Sequence, residues 1–179
     1  MLPLSTAAPA FALEDVVSGR TVSLADFKDK KALLVMFICR HCPYVKHMQE
    51  ELARMGQDYR EKSAGMVAIS SNDAEAYPDD APESLREMAK ELGFTFPFCY
   101  DGTQDVARAY GAACTPDFFV FDGQRTLVYR GQLDDSRIGN TLPVTGRDLR
   151  AALDAVLGDR PVSRDQKPGI GCNIKWRPE

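Results

Sequence analysis

Residues 32–47 constrain the fold most strongly, because their pattern changes from strand to helix within this short stretch. Residues 32–38 are nearly all apolar with no polar alternation, which is typical of a strand buried on both faces of an α/β sheet. After Pro43 the apolar residues recur at the spacing of an amphipathic helix. The pattern therefore places Cys39 and Cys42 at a junction between a strand and a helix.

The residue that caps this helix decides which cysteine is activated, because the free N–H groups and positive dipole end of a helix lower the pKa of a thiol. Cys-x-x-Cys is the usual sign of a redox dithiol in an α/β protein, and Cys39-Arg40-His41-Cys42 matches it. With Cys39 as N-cap, Pro43 would fall at the fourth helical position, where it lacks the N–H for the first backbone hydrogen bond. Proline is favoured at the first helical position instead. We therefore predict that Cys42 is the N-cap and the nucleophilic thiolate, with Cys39 as its preferred partner.

Several segments, including the one that contains the two cysteines, resemble proteins of the thioredoxin-like superfamily. Residues 11–13 and 21–27 are similar to the first segments of peroxiredoxins and of the thioredoxin-like reductases used in cytochrome maturation. Residues 39–45, 114–119 and 171–176 resemble three motifs of a group of redoxin-domain proteins. The resemblance implies an α/β, thioredoxin-like fold with a central mixed β-sheet flanked by helices and an N-terminal β-hairpin extension.

The same resemblance implies roles for residues near the cysteines. Thr115-Pro116 resembles the family's cis-proline segment, which faces the nucleophile and presents backbone to an extended thiol substrate. Cys114 would then lie near Cys42, either as an auxiliary thiol or as a packed filler. Cys42-Pro43-Tyr44 also resembles the start of the glutaredoxin motif, whose last cysteine is replaced here by Val45.

Arg40 and His41 lie between the two cysteines, and both can carry positive charge. Positive charge beside Cys42 would stabilise its thiolate further and favour the reduced form of the pair. We therefore expect Cys39 and Cys42 to form a stronger oxidant than the pair of a typical thioredoxin.

The size and composition of the chain suit one globular domain, because its 179 residues are 44% hydrophobic. We assign residues 1–160 to a single thioredoxin-like domain and residues 161–179 to a C-terminal tail. Cys172 and Trp176 are costly residues for a disordered end, so the tail is expected to pack on the domain.

The net charge and the hydropathy of the chain indicate which binding partners and which cellular location to expect. The net charge of −4 predicts neither nucleic-acid binding nor binding to an anionic membrane surface. The first residues make a poor signal peptide, and no apolar run approaches the roughly 18 residues of a membrane span. The expected location is the cytoplasm.

Five cysteines, an odd number, argue against a secreted disulfide scaffold. Cys99 lies on an apolar run and is expected to be a packed thiol. Zinc is a weaker alternative, because Cys39, His41, Cys42 and His47 are not joined by a second ligand pair at a recognised zinc spacing. We therefore expect neither a metal ion nor another cofactor.

The remaining segments give coarser predictions of secondary structure and leave two alternatives open. Hairpins are predicted within 11–24 and 117–129, and helices at 82–92 and 104–110. A last helix is predicted to start with a capping box at 145–148 and to end at Gly158. Residues 72–82 are polar and acidic, and form either a mobile loop beside the site or a plain surface loop. Asp134 and Asp135 are either catalytic proton carriers or part of an ordinary polar turn.

The sequence thus predicts a thiol-disulfide oxidoreductase in which Cys42 attacks a disulfide or an oxidised thiol. Its partners would be a disulfide-bearing protein or a small thiol, with an external thiol reductant. The alternative is a peroxiredoxin-like peroxidase, in which Cys42 becomes a sulfenic acid resolved by Cys39, Cys114 or Cys172. Peroxiredoxins carry Thr or Ser at the position of Cys39, which counts against this alternative. A metal carrier on the same fold is the non-enzymatic hypothesis.

Overall fold

The apolar strand that precedes the two cysteines lies at the centre of the fold. In the computed structural model, which describes residues 2–179, the strands are β1 (Ala12–Asp15), β2 (Thr21–Ser23), β3 (Ala32–Phe37), β4 (Ala64–Ser70), β5 (Phe98–Tyr100), β6 (Cys114–Thr115), β7 (Asp117–Phe121), β8 (Leu127–Gly131) and β9 (Cys172–Asn173). The helices are α1 (Pro43–Tyr59), α2 (Pro82–Leu92), α3 (Asp105–Tyr110) and α4 (Arg147–Leu157), with short 3-10 turns at Leu24–Phe27 and Pro78–Asp80.

The main sheet is mixed and has the strand order β2-β1-β5-β4-β3-β7-β8. Strands β3, β4 and β5 are parallel, whereas β7 and β8 continue the sheet as an antiparallel hairpin at its edge. β1 and β2 form the antiparallel N-terminal hairpin, which joins the sheet at β5. The predicted mixed sheet, N-terminal hairpin and edge hairpin are therefore confirmed.

β3 is buried along its whole length, because both faces of the sheet are covered. Leu34, Met36 and Ile38 pack on one face in an apolar cluster that includes residues of α1, α2 and α4. Leu33 and Val35 pack on the other face with residues of α3 and the N-terminal segment. This double burial is why the strand lacks polar alternation.

α1 begins at Pro43, and Cys42 is its N-cap with φ −67° and ψ 124°. The Lys46 N–H donates to the Cys42 carbonyl over 3.0 Å, which closes the first turn of the helix. Proline at the first helical position lacks only an N–H that has no intrahelical partner there. The predicted helix register is confirmed, and it places Cys42 just beyond the C-terminal end of β3.

The polar segment 72–82 differs from the plain surface loop considered above. Asp80 is fully buried, and Asn72 and Asp73 are buried as well, although Glu75 and Asp79 are exposed. The segment turns inward because the Asp80 carboxylate binds backbone N–H groups of the loop between the two cysteines. The surface-loop interpretation is therefore wrong for Asp80.

The start of α4 also differs from the prediction. Its N-cap is Gly146 at φ 72°, and no side chain caps it, so the capping box at 145–148 is wrong. The Asp134 carboxylate takes over part of this role, because it accepts hydrogen bonds from the Thr145 and Gly146 N–H groups at 2.7 and 2.8 Å. Asp135 forms ion pairs with Arg147 and Lys167. Both acids belong to the polar turn rather than to a proton path.

The C-terminal residues return across the domain. β9 pairs antiparallel with β6 in a separate two-stranded sheet. β6 is the strand that comes directly before β7 in the chain. Ile174 follows β9 and is buried in the apolar cluster beneath the sheet. Within residues 2–179, no helix combines the length and the apolar character that crossing a membrane requires.

Candidate functional site

Cys42 is buried at the N-terminus of α1, where its sulfur faces three kinds of hydrogen-bonding group. As a thiol it donates to the Thr115 carbonyl oxygen over 3.3 Å. Hydrogen bonds from Cys39, Cys172, the Val45 backbone N–H and the Thr115 side chain lower its pKa from 9.0 to about 4, against the opposing effect of burial. The surroundings of Cys42 therefore favour its thiolate form.

Cys39 lies two residues after the end of β3 and is fully buried. Its sulfur is 3.4 Å from the Thr115 hydroxyl oxygen. The backbone bends at Arg40 and His41, so the chain does not continue extended and both sulfurs reach Thr115. Hydrogen bonding to Cys42, burial and the Asp80 charge raise the pKa of Cys39. The pair thus holds one proton, on Cys39, with the negative charge on Cys42.

Asp80 holds the bend between the two cysteines in place. Its Oδ1 accepts hydrogen bonds from the Arg40 and His41 N–H groups at 2.8 and 3.2 Å. Its Oδ2 accepts from the Asn72 amide over 2.9 Å and pairs with His41 Nδ1. Sequence reasoning missed this residue, because an aspartate in an acidic, aperiodic segment gives no sign that it will be buried.

The side chains of Arg40 and His41 are held away from the predicted role of neutralising the thiolate. The Arg40 guanidinium donates to the Ser84 carbonyl over 2.8 Å and forms ion pairs with Glu87 and Glu91 of α2. It is not among the groups that lower the pKa of Cys42. The His41 ring stacks on Tyr77 with centroids 5.3 Å apart. The Arg40 charge ties the bend to α2, and its role beside the Cys42 thiolate stays a prediction.

The Thr115–Pro116 peptide bond is cis, and Thr115 contacts both site sulfurs through its carbonyl and hydroxyl oxygens. Cys114 is turned differently, since its thiol donates to the Pro116 carbonyl over 3.7 Å. Burial and the Asp117 charge raise the pKa of Cys114 to about 12. The segment therefore brings Thr115, rather than Cys114, into contact with Cys39 and Cys42.

Cys172 reaches the site from the C-terminal tail. From the sequence it is a candidate thiol for resolving an oxidised Cys42. Cys172 lies opposite Thr115 in the β6–β9 pair, and burial together with the nearby Cys42 raises its pKa to about 11. Cys99 lies in β5 and is fully buried, as predicted for a packed thiol. Burial raises the pKa of Cys99 to about 12. All five cysteines are free thiols.

Potential metal ligands occur at the site, in a different combination from the one considered in the sequence. Cys39, His41 and Asp80 place ligand atoms within 4.8 Å of one another. Each Asp80 oxygen already has two polar partners, so its lone pairs are committed to the bend. His47 lies on α1 and hydrogen-bonds to the Ser136 hydroxyl over 2.8 Å. These residues suit a hydrogen-bonded thiol site better than a metal centre.

A small depression beside α1 is lined by Tyr44, Pro116, Ile138 and Ile170 among other residues. Ile138 and Ile170 are 52% and 51% exposed. Pro116 directly follows Thr115, which contacts the sulfurs of Cys39 and Cys42, so these apolar residues lie beside the site.

Comparisons with known proteins show the family of the chain. The sequence matches the Redoxin family over residues 3–149. The chain is 24% identical over 121 residues to the thiol-disulfide oxidoreductase ResA of Bacillus thuringiensis subsp. konkukian, covering 64% of this chain and 61% of that protein. The chain thus spans less than two thirds of the length of this curated relative.

Solved structures extend the similarity to the whole chain. An uncharacterized conserved protein from Geobacillus kaustophilus is 57% identical with a TM-score of 0.98, covering 100% of this chain and 95% of that one. A thioredoxin-family thiol:disulfide interchange protein from Chlorobium tepidum is 19% identical with a TM-score of 0.66, covering 88% and 100%. The latter similarity shows that the fold is thioredoxin-like. Because the family match covers most of the sequence, the chain belongs to the Redoxin family.

Proposed function

We propose that the protein is a thiol-disulfide oxidoreductase with Cys42 as nucleophile and Cys39 as its partner. The observation that carries this proposal is the buried pair Cys39 and Cys42, with Cys42 as the N-cap of α1 and both sulfurs in contact with Thr115. The lowered pKa of Cys42 and the raised pKa of Cys39 agree with this geometry. The thiolate is the reactive form of cysteine, and the partner thiol supplies the second electron equivalent. The similarity to ResA, itself named a thiol-disulfide oxidoreductase, supports the same class of reaction.

The reaction starts when the Cys42 thiolate attacks one sulfur of a substrate disulfide. A bond forms between Cys42 and that sulfur, the substrate S–S bond breaks, and the second substrate sulfur leaves as a thiolate that takes up a proton. A second protein thiol then loses its proton and attacks Cys42 Sγ, which releases the first substrate sulfur. The products are a reduced substrate and a protein disulfide between Cys39 and Cys42.

An external thiol reductant then restores both protein thiols. The substrate is a disulfide-bearing protein or a small disulfide, and the exposed Ile138 and Ile170 offer it an apolar contact beside Pro116. Because the low pKa of Cys42 stabilises the reduced state, the pair is a stronger oxidant than a typical thioredoxin pair. We propose the cytoplasm as its location.

The test is reduction of insulin by dithiothreitol, followed by the turbidity of the precipitated insulin chain. Cys42→Ser should abolish the acceleration, because it removes the only low-pKa thiol at the helix N-terminus. Cys99→Ser is the matched control, since this thiol is buried in β5, and it should retain full activity. Unchanged activity in Cys42→Ser would refute the proposal.

Thiol peroxidase activity is a second candidate function, and the Thr115 hydroxyl favours it. Cys39 stands where peroxiredoxins carry a hydroxyl, but the Thr115 hydroxyl lies 3.4 Å from Cys39 Sγ and contributes to the lowered pKa of Cys42. Cys42 would attack a peroxide oxygen and become a sulfenic acid while an alcohol or water leaves; a second thiol then forms a disulfide and releases water. Stopped-flow mixing with hydrogen peroxide tests this candidate. Rapid oxidation that is lost in Thr115→Val supports it, and equally slow oxidation of both proteins rejects it.

A further inference from the structure

The C-terminal tail carries a third thiol into the site. β9 pairs antiparallel with β6, and the register sets Cys172 opposite Thr115 and Asn173 opposite Cys114. Thr115 is the residue whose oxygens contact the sulfurs of Cys39 and Cys42. Backbone pairing therefore fixes Cys172 opposite Thr115, whose carbonyl oxygen contacts Cys42 Sγ.

Several contacts after β9 hold this tail in position. Ile174 is 3% exposed, and its N–H donates to the Ala113 carbonyl over 3.1 Å. The Lys175 N–H donates to Asn72 Oδ1 over 2.8 Å, and the Lys175 carbonyl accepts from the Gln104 amide over 2.9 Å. Gln104 Oε1 accepts from the Arg177 N–H over 3.0 Å. The tail is thus anchored immediately after Cys172 rather than frayed.

Gly171 lets the tail approach the cis-peptide segment closely. A Cβ atom added to Gly171 would lie 2.1 Å from the Thr115 carbonyl oxygen, a distance that forces the two backbones apart. At Gly169, two residues earlier, an added Cβ would have its nearest neighbour at 3.6 Å, which is ordinary contact. The position of Cys172 therefore depends on glycine at 171 and not on glycine at 169.

We propose that Cys172 resolves the mixed disulfide on Cys42, so that the site works with three thiols rather than two. This inference rests on the proposed oxidoreductase function. After Cys42 has bonded to a substrate sulfur, the Cys172 thiol loses its proton and attacks Cys42 Sγ. The bond between Cys42 and Cys172 forms, the bond from Cys42 to the substrate breaks, and the substrate leaves as a thiol.

A second exchange inside the site then completes the cycle. Cys39 loses its proton and attacks Cys42 Sγ, so that a disulfide joins Cys39 to Cys42 and Cys172 returns as a free thiol. No electrons enter or leave the protein in this exchange.

The surroundings of the two thiols favour Cys172 for the first attack. Cys39 is 0% exposed, and burial together with the Asp80 charge opposes its deprotonation. Cys172 is only partly buried, and Lys175 favours its thiolate by lowering its pKa. Because exchange rates depend on the thiolate fraction and on access to the sulfur, Cys172 attacks first.

The experiment is a single turnover of the reduced protein with one equivalent of the aromatic disulfide dithiobis(nitrobenzoate). The first coloured thiolate reports attack by Cys42, and the second reports resolution. Cys39→Ser should still release both and finish with a disulfide between Cys42 and Cys172 in the peptide mass spectrum. Cys172→Ser should slow the second release on the order of tenfold or more. The double variant Cys39→Ser/Cys172→Ser should stop at an adduct on Cys42.

A matched pair of glycine variants in the Cys39→Ser background tests the position of the tail. Gly171→Ala should slow the second release more than the first, and Gly169→Ala should leave both unchanged. The inference is overturned if Cys172→Ser resolves as fast as the parent protein while Cys39→Ser stalls at the adduct.

Failure of the proposed function gives a different result, namely no rapid first release from Cys42. In that case, the proximity of the thiols is tested with diamide, which accepts two electrons and two protons from a pair of thiols and leaves them joined in a disulfide. Diamide should link Cys42 to Cys172 in Cys39→Ser. A Cys42 that stays unpaired in this experiment would also overturn the inference.

Discussion

Replacing Cys39 by alanine should raise the pKa of Cys42, because Cys39 donates the hydrogen bond that contributes most to the Cys42 thiolate. A hydrogen bond to a charged group contributes about 1.5–3 kcal/mol, and about 1.36 kcal/mol corresponds to one pH unit of pKa. The pKa of Cys42 should therefore rise from about 4 to about 5–6 in Cys39→Ala. It should stay below the 9.0 of an ordinary thiol, because Cys172, the Val45 N–H and Thr115 still act on the sulfur.

The assay is the rate of alkylation of Cys42 by iodoacetamide as a function of pH, read by mass spectrometry of the labelled peptide. The rate follows the thiolate fraction, so in the parent protein it should fall only as the pH drops towards the low pKa of Cys42. In Cys39→Ala the fall should begin at higher pH. An ordinary thiol would instead gain about tenfold in rate for each pH unit across this range.

Cys39→Ser is the control, because its hydroxyl keeps a hydrogen-bond donor beside Cys42. The pH profile of Cys39→Ser should stay close to that of the parent protein. Two results would refute the reasoning: an unchanged profile in Cys39→Ala, or equal shifts in Cys39→Ala and Cys39→Ser. The first would mean that the helix N-terminus alone sets the pKa, and the second that the sulfur of Cys39 acts through something other than its proton.

Two further predictions test the bend and the helix register. Asp80→Asn should lower the free energy of unfolding by about 2–4 kcal/mol in urea titrations, because an amide cannot accept all the hydrogen bonds of the buried carboxylate, whereas the exposed Asp79→Asn should change it by less than about 0.5 kcal/mol. Equal effects of the two variants would contradict the role of Asp80 in holding the bend. Val45→Cys should form a disulfide between Cys42 and the introduced cysteine, since position 45 is the third residue of the helix that Cys42 caps. An unpaired introduced thiol, with the bond from Cys39 to Cys42 unchanged, would contradict it.

The burial and helix start around the cysteines could be predicted because they depend on neighbours in sequence. The unbroken apolar run of β3 predicts burial on both faces, and Pro43 permits only one start of α1, with Cys42 as its cap. The N-terminal and edge hairpins follow from the turn residues that separate their strands. Such features need only the spacing of residue types along a few turns or one strand.

The sequence by itself thus determined the strand-to-helix junction and the identity of the cap. The tertiary structure decided what surrounds the cap: the Asp80 carboxylate 40 residues away from Arg40 along the chain, the Thr115 oxygens, and Cys172 from the tail. The predicted surface loop and the capping box of α4 failed for the same reason. Each depended on whether a carboxylate finds backbone N–H groups from a distant segment, and local patterns of polarity carry no information about that pairing.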